Sequence, residues 1–333
     1  MNTSLAVSAR VLEIDAESVT QEIEVAIRKI VFHRLRRRGA VIGLSGGIDS
    51  SVTAALCARA LGKDRVVGLF MPENESSEDS LRLGRQLTDA LDITGIVEDI
   101  GPTLRALGCY QRRDEAIRKV IPEYGSGWKS KIVLPNLVDS SAYALYSVVA
   151  QSPTGETRRV RLTPEAYLGV VAATNFKQRT RKMLEYYHAD RLWYAVAGTP
   201  NRLEYAQGFF VKNGDGSADF KPIAHLYKSQ VVQLGKHLGV PEQILRRPPT
   251  TDTYSLEQSQ EEFYFSLPLE TMDLCLYGRN HQVPASELGG ATGLSIEQVE
   301  RVYALIDSKL KSTQYLHLSP QLIEAVGEVC IAD

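Results

Sequence analysis

The chain has 333 residues but only four cysteines, and Cys57, Cys109, Cys275 and Cys330 are scattered with no C-x-x-C spacing. That excludes a zinc knuckle or a redox pair, so they read as buried free thiols in a reducing cytoplasm. No apolar run approaches the roughly 20 residues of a membrane span. Met1–Arg10 lacks a long apolar core behind a basic start, so no signal peptide is expected. Neither charge sign is in excess: the formal net charge is −2, which gives a nucleic-acid partner no support. His188, His225, His281 and His317 have no ligand spacing and read as surface or core residues rather than metal ligands. No internal repeat or low-complexity segment is present. The remainder, 44% hydrophobic and 23% charged, is the composition of a globular chain with a large core, either one large α/β domain or one domain with additions.

One stretch stands out, Val41-Ile-Gly-Leu-Ser-Gly-Gly-Ile-Asp-Ser-Ser51: an apolar run that reads as a buried strand, a Ser-Gly-Gly turn, and polar residues that open a helix ending at Gly62. Gly46 and Gly47 have no Cβ, so the backbone there can turn sharply and approach a ligand. Ser45, Asp49, Ser50 and Ser51 surround a helix start whose unpaired N–H groups and dipole form an anion site. No Lys-Ser or Lys-Thr follows the glycines, so the loop is not a Walker A, and a dinucleotide fingerprint is absent as well. A Gly-rich turn without a ligand is the bland alternative.

Helical spacing predicts a helix from Ala16 to Arg38; the arginines Arg34, Arg36, Arg37 and Arg38 at its end suit a C-terminal cap, phosphate binding or a subunit contact. Arg65–Pro72 and Thr94–Ile100 read as further strands flanking a helix through Leu91. This alternation predicts a parallel sheet with helices on both faces and a ligand at the carboxyl ends of the strands. The pattern breaks over 101–168. There Tyr143–Gln151 and Glu156–Leu162 can pair as a hairpin around Ser152-Pro-Thr-Gly155, in what reads as an insertion. A helix from Ala172 to Asp190, a strand Leu192–Gly198, a polar loop Lys212–Asp219 and a helix from Lys228 to Gly239 follow. Arg246–Asp252 is irregular because of its prolines. Ser295–Lys311 is helical, with Ile296, Val299, Val302, Leu305 and Ile306 on one face. Tyr254, Phe263, Tyr264 and Phe265 read as local core or as a stacking surface for a base.

An ordered set of motifs carries a resemblance: Ser-Gly-Gly-Ile-Asp-Ser at 45–50, Asn-Phe-Lys-Gln-Arg-Thr-Arg at 175–181, Gly-Thr-Pro-Asn-Arg-Leu-Glu at 198–204, Lys-Asn-Gly-Asp-Gly-Ser-Ala-Asp at 212–219, Leu-Tyr-Lys at 226–228 and Pro-Pro-Thr at 248–250. Together they resemble the ammonia-dependent NAD synthetases of the N-type ATP pyrophosphatase superfamily, from about Ala16 to Asp252 apart from the insertion. The resemblance implies a flavodoxin-like fold of the adenine nucleotide α-hydrolase type, forming one domain over 1–333. It implies amidation of nicotinic acid adenine dinucleotide through an acyl-adenylate, with ATP and Mg²⁺, free ammonia as donor, and release of AMP and pyrophosphate. It assigns ATP to Gly43, Leu44, Ser45, Gly46, Gly47, Ile48, Asp49, Ser50, Ser51, Thr199, Lys228 and Thr250, and Mg²⁺ to Asp49 and Glu204. Asp49 and Lys228 become the catalytic residues, and Arg179, Lys212 and Asp219 the dinucleotide contacts. Arg82 and Gln86 match ATP contacts loosely. A cytoplasmic homodimer is expected, with no nucleic acid and no membrane.

Alone, Arg179 and Lys182 could form a solvated helix face, Glu204 a surface residue and Asp219 a turn residue. Lys228 at a helix start is less easily dismissed, since a cation there opposes the dipole. Two departures bear on the substrate. After Pro-Pro-Thr the family's acidic Asp-Glu-x-x-Leu-Gly run is replaced by Thr253–Tyr264, and before Pro320 the family's basic pair is replaced by His317 alone. The rival readings are a related ligase acting on another carboxylate and a non-catalytic nucleotide-binding regulator.

Overall fold

A computed structural model describes residues 8–134, 146–251, 253–324 and 326–327. Residues 1–7, the start of the expected hairpin at 143–145, Asp252 and Cys330 lie outside the described residues. The first helix, α1 (Ala16–Arg28), is capped by the Asp15 side chain and buries Ile23 and Ile27. It continues to Arg34 only as a wider π-type turn. The arginine-rich end closes it: Arg37 lies over the Trp193 ring at 4.3 Å and donates to the Leu35 carbonyl at 3.1 Å. Next come β1 (Ala40–Gly43), α2 (Ile48–Leu61), β2 (Val66–Phe70), α3 (Glu78–Leu91) and β3 (Thr94–Val97). The chain then forms α4 (Gly101–Ala106), α5 (Cys109–Arg118), β4 (Lys129–Val133), β5 (Ser147–Gln151), β6 (Thr157–Arg161) and α6 (Pro164–Leu192). After β7 (Ala195–Val196) it is helical: α7 (Arg202–Gln207), α8 (Lys228–His237), α9 (Glu242–Leu245), α10 (Leu269–Asn280), α11 (Ala285–Thr292) and α12 (Ile296–His317).

The parallel sheet has the order β3-β2-β1-β7, with Ala40 beside Val66 on one side and Ala195 on the other. Residues alternate between the two faces of a strand. Ala40 and Ile42 accordingly pack with Ile23, Val52 and Val231 of α1, α2 and α8. Val41 packs with Leu104, Cys109 and Ala189 of α4, α5 and α6. Helices thus cover both faces, as expected. The chain steps outwards from β1 to β2 and β3 and then crosses back to β7 on the other side of β1, so the carboxyl ends of β1 and β7 form the switch point where a ligand crevice opens.

Several expectations need correction. The hairpin β5–β6 is present, but β4 adds a third antiparallel strand, unrecognised because Lys129-Ser-Lys-Ile-Val133 opens on three consecutive polar residues and has only two apolar ones. The helix expected from Ala172 begins eight residues earlier, where Thr163 caps it and Pro164 fits its first turn. Gly169 does not interrupt it: a Cβ there would lie 2.9 Å from that of Ala116, so the glycine lets α5 and α6 approach. Because α6 runs on through Leu192, the strand after it keeps only two residues. Ile296 is exposed rather than on the buried face of α12, while Val299, Val302 and Ile306 are buried. The described thiols Cys57, Cys109 and Cys275 are free and buried. Among the described residues no helix is long and apolar enough to cross a membrane.

Candidate active site

At the end of β1 the chain turns through Ser45, Gly46 and Gly47 into α2. Gly46 has φ +72°, and a Cβ there would lie 2.7 Å from the Ser80 carbonyl, so only glycine fits without strain. Ser50 and Ser51 both donate their hydroxyls to the Gly47 carbonyl, at 3.1 and 2.8 Å, and the Gly47 N–H donates to Ser45 Oγ. No side chain caps α2, which leaves its positive end facing the crevice. A second cation completes the loop: Arg247 donates to the Ser45 carbonyl at 3.3 Å and to Ser80 Oγ at 3.0 Å.

The loop forms one wall of a cavity of about 770 Å³. Of the residues expected to hold ATP, Gly43, Leu44, Ser45, Gly47, Ile48 and Asp49 line it. Ser50, Thr199, Lys228 and Thr250 line it too, whereas Gly46 and Ser51 lie behind the surface and shape the turn. Arg179 and Lys212 reach the cavity. Asp219 does not: its carboxylate accepts the Val196 N–H at 2.7 Å and the Tyr186 hydroxyl at 3.3 Å, tying β7 to α6. Arg82 and Gln86 also lie outside the lining, and Arg82 is held by Asp79 and Gln243.

The centre of the site is an ion pair between the Lys228 ammonium and Asp49. Asn201 donates to Asp49 Oδ1 at 3.2 Å and forms a reciprocal cap with Glu204, whose other oxygen accepts from Gln260 at 3.0 Å. Burial and then the Asp49 charge push the Glu204 carboxyl up to about 8, against the pull of Lys228. Burial disfavours the Lys228 charge, but Asp49 and Glu204 outweigh it and hold the ammonium above its usual range. Glu204 is therefore part of the buried constellation and not a surface helix residue. Lys228 tolerates a helix start because the fully buried Asp273 of α10 accepts the backbone N–H groups of Lys228 and Ser229, at 3.1 and 2.7 Å. Burial pushes the Asp273 carboxyl up to about 6.

The motif at 175–182 is not a solvated face. Arg179 is exposed, but Lys182 is buried against Glu185 at 2.5 Å. Lys177, 1% exposed, donates to Glu73 at 2.9 Å, Glu75 at 2.6 Å and the Thr253 carbonyl at 2.7 Å. The aromatic segment is both core and wall: Tyr254 and Phe265 are buried, and Tyr254, Phe263 and Tyr264 line the cavity. Sequence reasoning missed Asn201, Arg247, Gln260 and Asp273. Asn201 lay within a quoted motif, whereas Asp273 sits in a helix that carried no signal of a site.

A family model described as NAD synthase matches residues 19–122 and 149–314. The NH(3)-dependent NAD(+) synthetase of Rhizobium meliloti (strain 1021) is 59% identical over 325 residues, covering 98% of this chain and 97% of that protein. Among solved structures, the NMN synthetase from Francisella tularensis is similar with a TM-score of 0.63 at 23% identity, over 93% of this chain and 100% of that one. An NH3-dependent NAD synthetase from Campylobacter jejuni gives 0.60 at 22% identity, over 93% and 100%. These two establish the shared fold. The match to the family takes in the loop, Asp49, Glu204 and Lys228 and enters the 101–168 segment from both ends, leaving only 123–148 unmatched between its two parts, and on that ground the chain belongs to the NAD synthase family.

Proposed function

We propose that the chain amidates nicotinic acid adenine dinucleotide to NAD with ammonia, consuming ATP and releasing AMP and pyrophosphate. The observation that carries the reading is the Asp49–Lys228–Glu204 constellation at the open end of the α2 phosphate loop. A carboxylate is a poor electrophile. Its oxygen must first attack the α-phosphorus of ATP, expelling pyrophosphate, so that ammonia can then attack the acyl carbon and expel AMP. Lys228, Arg247 and the free N–H groups of α2 are placed to stabilise charge on the phosphates.

Mg²⁺ fits the same site. Two carboxylates close enough to repel each other, Asp49 and Glu204, are the hard oxygen donors this ion takes alongside substrate phosphates. When bound, the ion would neutralise charge on the departing pyrophosphate. Asn201 and Gln260 orient the two carboxylates, and Asp273 fixes the helix end that presents Lys228.

We read residues 1–333 as one domain in which the insertion at 101–168 helps build the site; Leu134, Tyr146 and Tyr167 within it line the cavity. A homodimer is supported by the outer side of α6 and its cap, where Leu168, Met183, Tyr187 and Trp193 are each more than half exposed. Buried unpaired thiols and a need for ATP suit the cytoplasm. The test is incubation of the purified chain with ATP, Mg²⁺, ammonium and nicotinic acid adenine dinucleotide, with pyrophosphate and NAD followed together. Equal yields of the two, both lost on chelation, are expected. Pyrophosphate without NAD, or neither product from folded protein, overturns the reading.

A further inference from the structure

The three buried lysines of the described residues each face a carboxylate: Lys177 has Glu73 and Glu75, Lys182 has Glu185, and Lys228 has Asp49. Lys309, on the wall of the cavity, forms no ion pair among the described residues. Its ammonium donates to the Tyr264 carbonyl and lies 4.0 Å from the centre of the Tyr264 ring and 5.5 Å from that of Phe265. Lys309 is half-buried, and desolvation of its ammonium against this wall lowers its pKa to about 7 with no neighbouring charge to counter the shift. An ammonium has three donors, and among the described residues only one of these is occupied. A cation drawn out of water without a counterion is costly, and an anion arriving in the cavity relieves that cost.

The position of Lys309 narrows which anion this is. Tyr264 lies four residues along the chain from Gln260, which holds Glu204, so Lys309 stands on the part of the cavity wall that the C-terminal helices supply. The segment Leu316–Pro320 provides no lysine or arginine, and His317 is turned edge-on to Tyr205 and Phe210 at 4.8 and 5.1 Å. We propose that Lys309 binds an anionic group of the acceptor dinucleotide, either its carboxylate or its pyrophosphate. The assignment rests on the amidation reading above.

The test compares the full chain with K309M, K309Q and K309R, measuring KM for nicotinic acid adenine dinucleotide, KM for ATP, kcat, and inhibition by NAD. NAD keeps the pyrophosphate but carries a carboxamide. Losing a hydrogen bond to a charged group predicts a rise of about 10- to 100-fold in KM for the dinucleotide in K309M and K309Q. The KM for ATP should stay within about twofold, and K309R should recover most of the loss. Unchanged inhibition by NAD identifies the carboxylate as the partner; inhibition weakened in parallel identifies the pyrophosphate. An unchanged KM for the dinucleotide in either neutral variant overturns the assignment while leaving the amidation reading intact. Failure of the unsubstituted chain to make NAD overturns both.

Discussion

Replacing Lys228 by methionine is the most direct perturbation of the site, because it keeps most of the unbranched side chain and removes its charge and hydrogen-bond donors. Lys228 and Asp49 are mostly buried, with side chains 7% and 16% exposed, and Glu204 lies beside them. In K228M two neighbouring carboxylates lose their shared cation. Removing one partner from a buried pair costs about 3–5 kcal/mol. For 333 residues, an unfolding entropy of about 2.1 cal/mol/K per residue converts that to a fall in Tm of about 4–7 °C. The methionine cannot stabilise charge on the phosphates, so pyrophosphate release should drop by a further factor of about 10²–10³ at saturating ATP. Thermal melting and pyrophosphate release, both measured on the folded fraction, separate the two effects. The double variant D49N/K228M should lose less stability than the sum of the single variants, since each single leaves a charge stranded. A K228M protein that melts with the unsubstituted chain and releases pyrophosphate at a similar rate would refute the pairing and the role built on it.

Three further outcomes follow from the geometry. D273A removes the acceptor for two N–H groups at the start of α8; it should cost about 1 kcal/mol in denaturant titration and lower kcat more than KM, with D273N close to the unsubstituted chain. G46A forces a Cβ into the left-handed region and towards the Ser80 carbonyl, so about 1–3 kcal/mol of stability should be lost and ATP binding should weaken in calorimetry. The depressed pKa of Lys309 has a defined sign: the unfolded chain binds the proton more tightly, so stability falls as pH drops from the ordinary lysine range near 10 to about 7. Stability curves across that window should flatten in K309M, and an unchanged slope would show that Lys309 is not desolvated.

The phosphate loop was legible because its information is local: an apolar strand, two glycines and a helix start lie within eleven consecutive residues. Lys228 was legible for a related reason, since a lysine at a helix start conflicts with the dipole unless something compensates, and here Asp49 and Asp273 do. The motif at 175–182 announced cations, but not which of them would be buried. That choice falls to Lys177, on which Glu73, Glu75 and Thr253 converge from segments far away in the chain, and to Lys182, which pairs with Glu185. The strand β4 was hidden because its first three residues are all polar, and it gains its place only by pairing with β5. Asp219 shows the converse case: its motif was recognised, yet its carboxylate is committed to β7 and α6 and lies outside the cavity.

The C-terminal helices depart most from the pattern that made the rest readable, yet they are joined to the chemistry at backbone level. Their core takes in Leu203 of α7 and Tyr227, the residue before Lys228, together with Met272 and Val302. Asp273 reaches from the same helices to the first turn of α8, and Lys309 reaches from α12 to the cavity. A Cβ at Gly208, at the end of the helix that carries Glu204, would lie 2.3 Å from Thr313, so α12 and α7 are in close contact. Glu204 and Lys228 thus both stand at the starts of helices whose orientation depends on α10–α12, while Asp49 and the loop stand on the parallel sheet. The proposed adenylation centre draws on both the C-terminal helices and the parallel sheet, so a change in packing among α10, α11 and α12 should alter the spacing of Lys228 and Glu204 from Asp49 without touching the loop. Sequence divergence in those helices is then free to reshape the acceptor wall around Lys309, provided that the contacts at Asp273 and Gly208 keep the two helix starts in place.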